Sequence, residues 1–228
     1  MVRQIAEGTL PHATFRRYFE QNILYLGDYA RAIGMITGKA PDWEACDVLS
    51  RFLRQIVGTE IPANLAFLRR LGGTSSAADG AGGSGGSQAS TPSMCPATYA
   101  YTRHLLCTCA QGDCADGLAA VLPCQWSYGE LARPLMESPP GDPVYADWIA
   151  MFGNDDYGAL VEETTGLLDR LADPADARTL ARLSATFDRS TGYEVQFWDM
   201  AYGVPAADGA PAGREAGRLC AQPGFSTT

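Results

Sequence analysis

The stretch PHATFRRYFEQNILYLGDYARAIGM, residues 11–35, decides the fold class. Phe15, Tyr18, Phe19, Tyr25, Leu26, Tyr29 and Ile33 recur in it at three- and four-residue steps. At about 3.6 residues per turn, that spacing lays the large apolar side chains along one face of a long helix. A strand would need strict alternation bounded by hairpin turns, and no part of the chain has it.

The helical period continues on the C-terminal side. Asp42 is an N-cap for a second helix through Trp43, Leu49, Phe52, Leu53 and Ile56. Glu60 to Leu71 reads as a third, with Pro62 tolerated in the first turn, where a missing N–H deprives no carbonyl of its partner. Pro96 to about Ala110 carries Tyr99, Tyr101 and Leu105, and Asp116 to about Met136 is apolar enough to be heavily buried. Asp142-Pro143 and Asp173-Pro174 are N-cap-then-proline signals that open two long segments, ending near Leu171 and Tyr202. The expected fold class is all-α.

Residues 72–93 break the pattern with a Gly/Ser-rich tract, a flexible coil with nothing to pack. The 71 residues before it hold too little core to stand alone, so it is expected to be a loop inside one domain over residues 1–203. Residues 204–228 are an Ala/Gly/Pro-rich tail expected to fray.

Lys plus Arg number 17 against 26 Asp plus Glu, a net charge of −9, which argues against a bare electrostatic grip on nucleic acid or an anionic membrane. No apolar run approaches the roughly 20 residues that span a bilayer. The first residues, MVRQIAEG, lack a signal peptide's apolar stretch, so a cytoplasmic protein is expected. Seven cysteines without a secretion signal argue for reduced thiols rather than a disulfide framework. His104, Cys107, Cys109 and Cys114 contain no CxxC pair and fit no standard zinc spacing, so no metal is expected. With only His12 and His104, haem or di-iron chemistry lacks ligands. No P-loop, Rossmann glycine pattern or Ser/His/Asp motif is present.

Reactive groups stand among aromatics in three places. Cys124 and Tyr128 lie four apart on one helix face, where a thiol beside a phenol can be a positioned nucleophile; a buried cysteine is also an ordinary core residue. Glu194 stands inside the aromatic run Tyr193 to Tyr202, either as a general acid/base with a raised pKa or as a structural hydrogen-bond partner. Asn22 and Tyr25 are three apart; Asn22 could equally bond back within its own helix.

Taken in order, several motifs resemble the TenA (thiaminase II) family. They are Gly8-Thr9-Leu10-Pro11 followed by Phe15-x2-Tyr18-x2-Gln21-Asn22-x2-Tyr25-Leu26; Pro96-x2-Tyr99-Ala100-Tyr101-Thr102-x-His104; Leu122-Pro123-Cys124-x-Trp126-x-Tyr128-x-Glu130; Pro143-x-Tyr145-x2-Trp148-Ile149-x2-Phe152-Gly153; and Tyr193-Glu194-x-Gln196-Phe197-Trp198-x-Met200-Ala201-Tyr202. The resemblance implies an all-helical, haem-oxygenase-like bundle without haem, assembled as a homo-oligomer (tetramer or dimer), with no metal or organic cofactor. It implies an aminopyrimidine aminohydrolase or thiaminase II in thiamine salvage, which hydrolyses 4-amino-5-aminomethyl-2-methylpyrimidine, and thiamine, to the hydroxymethylpyrimidine. On the same resemblance Cys124 stands at the nucleophile and Glu194 at the proton-shuttling carboxylate. Tyr101 and Tyr128 stand at hydrogen-bonding positions, and Tyr25 stands where an aromatic ring packs on the pyrimidine. Asn22 and Phe152 depart from the family's usual Asp and Tyr, and the N-terminus is short by most of the family's first helix. The alternatives are a TenA-like enzyme retuned to another amine or heterocycle, or a non-catalytic ligand-binding or regulatory homologue. Hydroxyl donors beside Cys124 are expected to raise its thiolate fraction.

Overall fold

The computed structural model describes residues 1–72 and 93–203; the Gly/Ser tract, save Gly72 and Ser93, and the tail from 204 onward lie outside the described residues. A short α1 (Val2–Ala6) leads into α2 (His12–Thr37), which buries the aromatic stripe together with Asn22. The stripe wraps far enough round the helix for α2 to pack against several neighbours. These are α3 (Trp43–Gln55), α4 (Ile61–Arg70), α5 (Pro96–Gln111), α6 (Cys114–Ala132) and α9 (Ala177–Ala201).

The second inner helix is α6. It is apolar nearly all round and packs on α5, α8 (Asp155–Ala172), α9 and α7 (Pro143–Gly153), with only Trp126 and Glu130 exposed. Gly117 lets it sit this deep: a Cβ there would lie 2.2 Å from Ile36 Cγ2 of α2 and 3.1 Å from Cys109 Sγ of α5. At the same corner Lys39, the only lysine in the chain, donates to the carbonyls of Cys109, Ala110 and Gly112 at 2.7–2.8 Å. Those are the orphan acceptors at the end of α5.

The expected all-α class holds, with no strand among the described residues. Several boundaries differ for local reasons. The expected break between the second and third helices is a π-helical turn, Ile56–Glu60, so that α3, the turn and α4 run on without interruption. Phe52, Ile56, Glu60 and Asn64 follow one another at four-residue steps and are all buried. Three such steps on an α-helix would swing the stripe about 120° off the core. A turn holding more residues cancels part of that drift.

The helix expected from Asp116 begins at Cys114 with Asp113 as its N-cap; Asp116 is the third helical residue of a reciprocal capping box with it. Residues after Ala132 tighten into a 3-10 turn, Arg133–Glu137. The long segment expected from Asp142 to near Leu171 is two helices that meet at Asn154. That one side chain accepts from Tyr157 N to cap α8 and donates to the carbonyls of Ala150 and Met151 at the end of α7. Asp173 closes α8 rather than opening α9, whose N-cap is Asp176 accepting from Thr179 N. Among the described residues no helix is long and apolar enough to cross a membrane.

Candidate functional site

Cys124 sits mid-way along α6 directly after Pro123, whose missing N–H leaves the Ala119 carbonyl without its helical donor. Phenols from two other helices brace this stretch. Tyr29 donates to the Val121 carbonyl at 2.8 Å and Tyr157 to the Gln125 carbonyl at 3.1 Å. The half-buried thiol thereby faces a narrow cavity between α2, the π turn, α6, α7 and α8.

Of the residues singled out by sequence, Asn22, Cys124, Tyr128 and Phe152 line this cavity. Tyr25, Tyr101 and Glu194 form an adjoining group that meets it at Cys124. Tyr101 donates to Glu194 Oε1 at 2.6 Å, and the Cys124 thiol lies beside the same carboxyl group. The Tyr25 ring packs 5.0 Å from that of Tyr101 and 5.4 Å from Phe197, with its buried hydroxyl close to the Cys124 thiol. Tyr128 accepts from Tyr18 at 3.0 Å. Phe152 stands edge-on to Tyr128, Trp148 and Tyr157, an apolar wall with no hydroxyl to offer.

Burial pushes the Glu194 carboxyl up to about 7, held back by the hydrogen bond from Tyr101 and by the adjacent Cys124 thiol. Burial also lifts the Cys124 thiol well above its ordinary value, and the Glu194 and Glu60 carboxylates lift it further, against a smaller lowering by Tyr25. The expected enrichment in thiolate is therefore corrected. A phenol donor is outweighed by desolvation and two carboxyl groups, so the resting thiol keeps its proton. A base touching it is required for nucleophilic attack, and Glu194 touches it.

Glu60, Gln125 and Tyr157 also line the cavity and were not singled out by sequence. Asn64 stands beside it. Its Nδ2 donates to the Glu60 carbonyl at 2.8 Å, which aims its Oδ1 at Asn22, whose Nδ2 donates to it at 2.8 Å. The signal available was the step from Phe52 through Ile56 to Glu60 and Asn64, two polar residues continuing an apolar stripe. The cysteines near His104 serve elsewhere. His104 is bonded to Ser190 at 2.9 Å, and burial lowers it to about 4 while lifting Cys109 to about 12 and Cys114 to about 11. Among the described residues no group of three or more His, Cys, Asp or Glu could hold a metal ion.

The Asn22–Asn64 contact yields a prediction. In Asn22→Asp a carboxylate would confront the Asn64 Oδ1 acceptor, and turning the Asn64 amide round would set its Oδ1 against the Glu60 carbonyl oxygen. Stability at pH 8 is expected to fall by about 1–3 kcal/mol. The new carboxyl's folded pKa would be raised, so the loss grows as pH rises from the unfolded value near 4 and shrinks in acid. Urea denaturation at pH 5 and pH 8 checks both statements; equal stability of variant and parent at pH 8 would contradict them.

The sequence profile of the TENA/THI-4/PQQC family matches residues 1–204. The aminopyrimidine aminohydrolase of Halalkalibacterium halodurans is 31% identical over 203 residues, covering 88% of this chain and 86% of that protein. The aminopyrimidine aminohydrolase of Bacillus subtilis is 31% identical over 201 residues, covering 88% and 80%. Among solved structures, a TenA family transcription regulator from Silicibacter sp. TM1040 superposes with a TM-score of 0.75 at 28% identity, covering 88% of this chain and 86% of that one.

Proposed function

The chain belongs to the TENA/THI-4/PQQC family, with its all-helical haem-oxygenase-like fold, and on that premise we propose that it is an aminopyrimidine aminohydrolase acting in thiamine salvage. One observation carries the reading. In a chain 31% identical to proteins of that name, a thiol, a carboxyl group beside it and a tyrosine bonded to that carboxyl converge from three helices.

The proposed reaction uses them in turn. The Cys124 thiol adds to the pyrimidine ring of 4-amino-5-aminomethyl-2-methylpyrimidine as Glu194 takes its proton. Glu194 returns that proton to the departing amine, then takes a proton from the water that adds at the exocyclic methylene and passes it to the sulfur as the C–S bond breaks. Expulsion of the thiol restores the ring as the hydroxymethylpyrimidine, one ammonia leaving per water consumed. Tyr101 holds Glu194, Tyr25 and Tyr128 contact the ring, and no metal or organic cofactor enters. The unit proposed is one helical domain over residues 1–203 in a homo-oligomer, a tetramer or a dimer.

Phe152 and the engaged amide of Asn22 favour a second reading, a hydrolase of the same mechanism retuned to another amine-bearing heterocycle. Incubation with the aminomethylpyrimidine and with thiamine separates the two. Stoichiometric hydroxymethylpyrimidine and ammonia are expected from the former compound. An inert aminomethylpyrimidine would defeat the first reading, and turnover of a different aminomethyl heterocycle would then establish the second.

A further inference from the structure

We propose that Glu60 is the specificity residue of this cavity, its carboxyl group pairing with the ring nitrogen and adjacent exocyclic amine of the aminopyrimidine. The inference rests on the aminopyrimidine reading above and assigns the group that recognises that ring.

The polar side chains on the cavity wall are mostly engaged. Asn22 donates to Asn64. Gln125 accepts from Thr164 at 2.7 Å, leaving a buried Nε2 without a partner. Tyr128 is bonded to Tyr18, and Tyr157 donates to a main-chain carbonyl. Glu60 differs. It is 5% exposed, lines the cavity, and neither carboxyl oxygen is hydrogen-bonded among the described residues. A buried polar group in that condition is unfavourable by several kcal/mol unless something else pairs with it. It is also held by the π turn, a rare geometry that concentrates at functional sites.

The chemistry of the two partners matches. An aminopyrimidine edge sets an acceptor, the ring nitrogen, beside a donor, the amine. A carboxylic acid sets a donor, its O–H, beside an acceptor, its C=O. Two parallel hydrogen bonds result, and they persist if the shared proton moves to the ring. Asn22 and Gln125 each already commit one polar atom to a neighbouring side chain, whereas both Glu60 carboxyl oxygens are uncommitted among the described residues. Burial raises the Glu60 carboxyl to about 8, with the Glu194 charge adding to it, so the shared proton is present at neutral pH. Glu194 from α9, Cys124 from α6, Tyr18 and Tyr29 from α2, and Tyr157 from α8 surround it electrostatically, and none supplies positive charge.

The test is calorimetric binding of 4-amino-5-hydroxymethyl-2-methylpyrimidine to the full chain as wild type, Glu60→Met and Glu60→Gln, each checked by circular dichroism. Methionine keeps the bulk and removes the fork, and is expected to weaken binding at least tenfold. Glutamine carries a donor beside an acceptor and is expected to retain most of the affinity. An analogue lacking the 4-amino group should bind weakly and alike to all three. Wild-type affinity should fall as pH rises past about 8, where Glu60 loses the shared proton, and the glutamine variant should show no such fall. If the methionine variant does not fold, this pH contrast alone decides. Undiminished binding by folded Glu60→Met, or the same pH fall in wild type and Glu60→Gln, would overturn the Glu60 assignment and leave the function standing. A wild type that binds no aminopyrimidine would overturn the function and this inference together.

Discussion

Cys124→Ser is expected to lower kcat/KM for the aminomethylpyrimidine about a thousandfold or more while the protein stays folded. Serine fits the same space on α6 and disturbs neither phenol brace, because Tyr29 and Tyr157 bond main-chain carbonyls rather than the sulfur. What changes is the attacking atom. A hydroxyl is far harder to deprotonate than a thiol and is the weaker nucleophile. Glu194, near 7, is matched to a thiol and badly matched to an alcohol. Steady-state kinetics and thermal unfolding on the same samples are the measurement. Turnover within a few-fold of wild type would eliminate the nucleophile role.

Glu194→Gln is expected to reduce kcat/KM by about a hundred- to ten-thousandfold, the usual range for removing a general acid or base. The amide can still accept from Tyr101, so the local hydrogen bond survives and the loss isolates proton transfer. The pH profile supplies a readout that a structural role would not move. In the free enzyme the reactive form pairs a protonated thiol with an ionised Glu194, so wild-type kcat/KM should rise with pH through about 7. The glutamine variant should be flat across that interval. Glu194, Glu60 and Cys124 are close enough to titrate together, so the limb belongs to the cluster rather than to one group. A variant that retained the same limb would show that another residue is the base.

Much of this molecule was legible residue by residue. Phe15 to Ile33 specified α2, Asp42 its successor's cap, and Pro143 the start of α7. Those features depend on contacts within one turn of chain, which is what periodicity and capping record. Misplaced boundaries had equally local causes: the helix expected from Asp116 starts two residues earlier because Asp113 caps it, and Asn154 satisfied two helix ends at once. Cys124 and Glu194 were visible because a reactive side chain among aromatics is conspicuous in a string of letters. Glu60 was not, since a glutamate next to Thr59 and two residues before Pro62 reads as an exposed helix start.

The sequence by itself determined the helices, their apolar faces and the residue types available for chemistry, because these follow from spacing along one segment. Only the tertiary structure decided which of those groups meet and in what state. Tyr101 reaches Glu194 across 93 residues and Asn22 reaches Asn64 across 42. Whether the Asn22 amide is engaged, the Cys124 thiol protonated or the Glu60 carboxyl unpartnered depends on neighbours brought in from other helices and on the water they exclude. Desolvation and hydrogen-bond pairing are properties of three-dimensional packing, and no local pattern of residues encodes them.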